Sequence, residues 1–417
     1  MASEWRPLGE FVSLASGNTP SKSNPEFWGG TVPWVSAKDM SDFWLEDAED
    51  HLTALGVENA SRIVPAGTVL MLVRGMTLHN RVPICRVATD VAFNQDVKAI
   101  LPKEGLCARF LPYLLVGNHD RLHERVDSAG HGTGRLNTDE ILSLPVFVPS
   151  KTEQAEIATI GEGLNERIHN LRQTNTTLQA IAAALFKSRF VDFDGVPPGD
   201  MQESELGLIP KGWRMGTFAE AVEILGGGTP KTSIADYWNG DIPWFSVVDA
   251  PASGQVFVLD TEKKITSLGL DNCSAKLLPE MTTIISARGT VGKVALTGVP
   301  MAMNQSCYAL RPKQQGGEAF VYFSTLRFVE HLQRIAHGAV FDTITRDSFK
   351  QITTCLPPGE AIAEFAVIAN PMLERIRANG QQAATLAALR DTLLPRLISG
   401  QFRVNCGFRS TVTGRFG

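Results

Sequence analysis

The sequence predicts an α+β protein laid out as a tandem repeat. Two mixed α/β globular domains are each followed by a long helix, and the two helices pack along a narrow seam. Three observations predict it. Residues 25–40, PEFWGGTVPWVSAKDM, return as ADYWNGDIPWFSVVDA at 235–250. Five landmarks recur in one order along the chain, which points to duplication of a whole domain. After each copy comes a segment with a seven-residue apolar period, the mark of a helix packed along a narrow seam.

The elements follow in chain order. EWRPLGEFVSLASGNTP at 4–20 is answered by GWRMGTFAEAVEILGGGTP at 212–230. Trp28, Pro33, Trp34, Ser36 and Asp39 answer Trp238, Pro243, Trp244, Ser246 and Asp249, all at an offset of 210. TVLMLVRGMT at 68–77 answers TTIISARGTVG at 282–292, and FNQD at 93–96 answers MNQS at 303–306. GTVLMLV and MTTIISA are short apolar runs rich in β-branched residues, so they read as buried strands. Residues 109–128 and 318–336 carry apolar residues at helical spacing and read as amphipathic helices. Glycine-containing loops, GHGTGRL and AHGAVFDTI, then lead to the short apolar strands LPVFVP and TTCLPP.

In the first long segment Ile157, Leu164, Leu171, Leu178 and Leu185 recur every seven residues. Phe365, Met372, Asn379, Leu386 and Leu393 stand 208 later, and Ile168 answers Ile376 in a second stripe. Fully helical, each segment would run about 55–60 Å at 1.5 Å per residue. Gly161 and Gly163 weaken the first helix. Pro371 and Gly380 interrupt the second, and Pro371 is expected to kink it or to restart it with Asn370 as the cap. The expected plan is a first domain at 1–150, a helix at 151–192, a Pro/Gly/acid-rich linker at 193–210, a second domain at 211–358, a helix at 359–400 and a tail at 401–417.

Composition sets limits. At 43% apolar and 20% charged residues, the chain is ordinary for a soluble globular protein. No apolar run is long enough to span a membrane, and MASEWRPLGE lacks a signal pattern. Cysteines at 85, 107, 273, 307, 355 and 406 form no CxxC pair, which reads as reduced thiols in a cytoplasmic protein. A net charge of −5 argues against a simple basic DNA-coating protein, but local field decides binding, so a basic cleft stays open.

The doubled openings GNTP…FWGGTVPWVSAKDM and GGTP…YWNGDIPWFSVVD, the RG and NQ landmarks, LPVFVPSKTEQAEIA and the closing LLPRLISGQFRV together resemble the DNA specificity (S) subunits of type I restriction-modification systems. The resemblance covers about 5–400. It departs at Pro371 and at PPGEAIAEF (357–365), where the usual Glu-Gln opening of the helix is replaced. The resemblance implies that each globular domain is a target-recognition domain reading one half of a bipartite double-stranded DNA site. It implies that the two long helices pair antiparallel as a coiled coil, with a pseudo-twofold relation that holds the two domains apart and inverted, while two adenine-N6 methyltransferase subunits dock on this frame and a restriction/translocase subunit can join. It implies no cofactor in this chain, with S-adenosylmethionine, ATP and Mg on the partner subunits. An internal pseudo-twofold suits DNA, whose backbone has the same symmetry and whose helical turn spans about 34–36 Å.

Candidate DNA-contacting residues follow from geometry that suits bases or phosphates. Arg74 and Arg288 end a strand before glycine and can fork onto a phosphate or a guanine edge, or form internal salt bridges. Asn94, Gln95, Asn304 and Gln305 can read adenine, or satisfy buried backbone. Lys38 stands where the second copy has Val248, and variation inside a repeated motif suits a specificity loop. His131, Arg135, His337 and Arg346 lie in or beside the late glycine loops. Trp34 and Trp244 read better as core than as wedges at DNA. Shared residues suit framework or backbone positioning, and unshared neighbours suit specificity.

Three enzyme-like patterns are weak. Asp249, Glu262 and Lys264 mimic a nuclease D…ExK triad, but the first copy has His51 where the lysine would be. His119 and His123 have the spacing of a metal pair, with a solvated helix face as the plainer reading. GGGTPKT has Pro230 where a P-loop needs glycine. No NPPY-like adenine methyltransferase motif and no methyl-donor loop is found. The leading expectation is therefore a non-catalytic recognition and assembly subunit. A self-sufficient DNA enzyme and a scaffold without DNA binding are the competing classes.

Overall fold

A computed structural model describes residues 5–60, 62–129, 132–251, 254–335 and 343–403. The chain forms two compact units, 1–169 with 385–417, and 170–384. Each unit therefore holds one repeat together with a part of both long helices.

In the first unit a five-stranded sheet has the order Val12–Ser16, Val97–Pro102, Val69–Leu72, Ile84–Val87, Trp44–Leu45. In the second the order is Val222–Gly226, Cys307–Pro312, Thr283–Ser286, Val294–Thr297, Phe257–Val258. A three-stranded sheet accompanies each: Trp28–Val35 between Asp50–Leu52 and Ala92–Phe93, and Trp238–Phe245 between Lys264–Ile265 and Ala302–Met303. The duplication seen in the sequence is thus a duplication of topology. VLML and TIIS are buried at every position, the polar Thr283 and Ser286 included. The strands before the helices, Pro145–Phe147 and Thr353–Leu356, close each repeat by pairing with its opening strand, Trp5–Pro7 or Arg214–Thr217.

Glycines explain why the openings repeat. A Cβ on Gly17 would strike the Phe93 carbonyl, and one on Gly227 would strike the Asn304 carbonyl. The GNTP and GGTP loops thus press backbone against backbone. Trp34 and Trp244 lie beneath them, buried, their indole N–H groups donating to the carbonyls of Asn18 (3.1 Å) and Gly228 (2.9 Å). Each packs edge-on against Trp28 or Trp238, at 5.1 and 5.2 Å.

The expected helix over 109–128 is broken. It forms Leu111–Gly117 and His119–His123, and strand Asp127–Ala129 follows. Buried Asn118 makes the break: its side-chain amide donates to the Leu114 carbonyl, ending the first helix there (2.8 Å). Its counterpart, Glu318–Ile335, is continuous.

Both long helices form, as Lys151–Lys187 and Gly359–Ile398. In each unit the early part of one meets the late part of the other. In the first unit Arg390 donates to Asn165 Oδ1 (2.8 Å), and Leu394, Leu397 and Ile398 join Ile157 and Ala158 in the core. In the second, Asn379 donates to Asn175 Oδ1 (2.9 Å), Asn175 donates to the Ile376 carbonyl (3.1 Å), and Phe186 packs on Phe365. The pairing is therefore antiparallel within each unit. Polar side chains buried in such a seam fix its register.

The seam departs from the strict seven-residue stripe. Ile157, Leu171 and Phe365 are buried. Leu164, Leu178, Leu386 and Leu393 are half-buried, and Leu185 is exposed. Ala182 and Phe186 take the inward place instead. A straight helix drifts about 20° per heptad against a 3.5-residue repeat, so four heptads carry Leu185 off the seam. Gly161 is buried where the Tyr113 ring fills the place of a Cβ, whereas Gly163 faces open space. Gly161 is thus a contact surface and only Gly163 is a plain weak point.

Pro371 does not end or restart the second helix, which runs unbroken through it. It stands on the exposed face, as does Val367 one turn before, so water can satisfy the carbonyl that the proline leaves without a donor. Asn370 does cap a helix, but a different one. Its Oδ1 accepts from Ala319 N–H (3.2 Å) at the start of Glu318–Ile335, and its amide donates to the Gly316 carbonyl (2.9 Å). The stretch expected as a linker contains the hairpin Met201–Ser204 with Gly207–Pro210. Among the described residues no helix is long and apolar enough to cross a membrane.

Candidate nucleic-acid interface

The backbone brings most of the candidate residues of each repeat to one edge. In the first unit Val73 donates to the Asp96 carbonyl (2.8 Å), and Leu136 donates to the Val73 carbonyl (2.9 Å). Strand Arg74–Gly75 thereby lies between the 94–96 turn and strand Thr133–Arg135, with Arg74 and Arg135 as cross-strand partners. Ala37, beside Lys38, lies 3.9 Å from the Cβ position of Gly75. The second unit repeats the frame: Ala287 donates to the Ser306 carbonyl (2.8 Å) and Ile344 to the Ala287 carbonyl (2.9 Å). There Arg288 stands opposite Thr343.

Side-chain placement sorts the candidates. Arg74, Arg135, Arg288 and Arg346 are exposed, and no carboxylate among the described residues pairs with them. The internal salt bridge weighed for Arg74 and Arg288 is not formed. Lys38 is exposed but held by Asp50 (3.0 Å) and Glu49 (3.1 Å), and those hydrogen bonds raise its pKa, Asp50 contributing most. His131 and His337 lie outside the described residues.

Asn94 and Asn304 have a framework role within their own turns. Each turns its Oδ1 back to its own loop, accepting from Asp96 N–H or Ser306 N–H at 3.0 Å. Gln95 and Gln305 are exposed, and their carbonyl oxygens accept from Thr19 (2.6 Å) and Thr229. The Thr–Gln contact latches the GNTP and GGTP loops to the NQ turns and leaves each amide NH₂ outward.

The enzyme-like patterns resolve into structural roles. Asp249 caps its own turn: one oxygen accepts from the Ser246 backbone and hydroxyl (2.8 and 2.9 Å), the other from Glu262 N–H (2.7 Å). Asp39 does the same in the first unit. Lys264 pairs with Asp260 (3.1 Å). His119 and His123 are not a solvated face. His119 accepts from Val82 N–H (3.0 Å), and His123 donates to the Leu78 carbonyl (3.0 Å). His79, which sequence reasoning missed, donates to the Gly132 carbonyl (2.6 Å) and ties down the loop leading to Arg135. Nothing in the spacing of 79 and 132 signals that contact. Among the described residues no group of three His, Cys, Asp or Glu is placed to hold a metal ion. Burial pushes the Cys85 and Cys307 thiols up to about 12, so both stay protonated.

Residues 2–180 and again 210–371 match the family described as type I restriction modification DNA specificity domain. The chain belongs to the type I restriction-modification DNA specificity family. The two matched segments are the two repeats described above, so it carries two DNA specificity domains. Over 96% of its length it is 28% identical to the MjaIX specificity subunit of Methanocaldococcus jannaschii, covering 94% of that protein. It is 25% identical to the HindI specificity subunit of Haemophilus influenzae, with 70% of this chain and 77% of that one covered. The crystal structure of a type I S subunit from M. genitalium shares the fold, with a TM-score of 0.54 at 14% identity, covering 95% of this chain and 96% of that one.

Proposed function

We propose that this chain selects the DNA site for a type I restriction-modification complex, each specificity domain reading one half of a bipartite double-stranded target. The observation that carries the reading is a family-typed domain present twice, on one frame, with different residues at the exposed edge. Lys38 and Arg135 of the first copy stand where the second has Val248 and Thr343. A shared frame with unlike loops suits two unlike half-sites.

The chain is non-catalytic. Its best acidic candidate, Asp249, spends its carboxylate on its own turn. Methyl transfer then belongs to two adenine methyltransferase subunits docked on the long helices, with S-adenosylmethionine on those subunits. ATP and Mg belong to a restriction/translocase subunit where one joins, and the complex works in the cytoplasm. Ile181 and Leu389, 208 residues apart on the two helices, are 43% and 45% exposed. Matched apolar spots on the two copies suit two copies of one partner.

The test is a methylation reaction with the cognate methyltransferase subunits, with and without this chain. Site-specific adenine methylation should appear only when the chain is present. Equal site-specific methylation without it would refute the proposal.

A further inference from the structure

We propose that Arg74 and Arg135 form a two-guanidinium clamp on one backbone phosphate of the first half-site, a device the second domain lacks. The inference rests on the DNA-reading function proposed above and adds an electrostatic inequality between the two domains.

Arg74 and Arg135 are directly opposed on antiparallel strands, so their side chains leave the same face. Cross-strand partners have Cβ atoms about 4.5–5.5 Å apart, and like charges so placed destabilise a sheet. Several arginines of the chain have carboxylates: Arg86 and Arg109 share Glu162, Arg125 meets Glu140, and Arg377 meets Glu280. Arg74 and Arg135 pair with none among the described residues. Asp127 is directly opposite Arg135 on its other side, so its carboxylate leaves the same face, but it accepts from the Asn137 amide (3.1 Å) and forms no ion pair with Arg135.

The pair is also held in place. Gly134 lies opposite Gly75, where a Cβ would press on Leu78 at 2.8 Å. The Val73 and Leu136 hydrogen bonds fix both strands, and His79 secures Gly132. Two exposed guanidiniums without ion-pair partners, on strands held in register, suit an anion. A phosphate relieves the repulsion, whereas a guanine edge is neutral and leaves it. In the second domain the residue opposite Arg288 is Thr343, so one guanidinium stands alone there.

The experiment uses the full chain with its methyltransferase subunits on a duplex carrying the mapped site. Arg135→Thr installs the second domain's residue, and Arg135→Gln removes the charge while keeping most of the length. Each should flatten the plot of log affinity against log salt by up to about one unit, because Arg74 alone holds the phosphate less fully. Base preferences should be unchanged. A methylphosphonate scan should find one phosphate in the first half-site whose neutralisation weakens the wild type more than the variants. No phosphate in the second half-site should behave so. Relaxed base preference with an unchanged salt slope would overturn the clamp in favour of base reading. Unchanged cognate binding in both variants would overturn it outright. A wild-type complex with no preference for the site would instead refute the DNA-reading function beneath it.

Discussion

Phe186→Ala is expected to destabilise the protein by about 3–5 kcal/mol, the cost typical of removing a buried Phe. Phe186 is buried on the first long helix among Phe190, Phe320, Phe323 and Phe365, with ring centroids 5.1–5.9 Å away. Its rings come from both long helices and from Glu318–Ile335, so truncation opens a cavity that no single side chain can refill. Leu185→Ala, one residue earlier, should change stability by no more than about 0.5 kcal/mol, because that side chain points outward. Urea unfolding of the two variants checks the contrast. A large loss at Leu185 with a small one at Phe186 would restore the strict seven-residue seam.

Gly17→Val should cost about 3 kcal/mol or more, at the upper end of overpacking, because the obstacle is backbone. The added side chain meets the carbonyl of Phe93, which belongs to a buried strand end, and no rotamer avoids it. The GNTP loop must lift, breaking the hydrogen bond from Trp34 to Asn18 and the one from Thr19 to Gln95. The visible result should be red-shifted Trp fluorescence together with a lower midpoint of unfolding. Gly227→Val should act the same way in the second repeat, through Asn304 and Trp244. A wild-type midpoint and spectrum in both would show that the loops do not press on the NQ turns.

Much of the fold was legible in the sequence, because duplication prints each structural constraint twice. The PW-x-S-x-x-D motif recurs because Trp34 and Trp244 fill the same site and Asp39 and Asp249 close the same turn. The paired strands and both long helices could be read from apolar runs and period. What the sequence did not show depends on contacts distant along the chain. Asn370 reads as a cap for its own helix, yet the N–H that it satisfies belongs to Ala319. Gly161 reads as a weakness until Tyr113 is seen against it. The helix break at Asn118 rests on one side chain competing with the backbone, which periodicity cannot register.

The candidate interface was legible in part. Arg74 and Arg288 stand out from their place beside glycine at strand ends, and Arg135 from its glycine loop. That Arg74 and Arg135 face each other follows only from strand register. That Asn94 and Asn304 each close their own turn follows only once their oxygens are located.

The central claim is that one chain carries two independent readers. Its most direct test is a map of methylated adenines in cells whose chain has residues 1–150 replaced by the corresponding domain of another family member. The account predicts that one half of the methylated site changes while the other half keeps its sequence. Alteration of both halves, or of neither in an active complex, would contradict it.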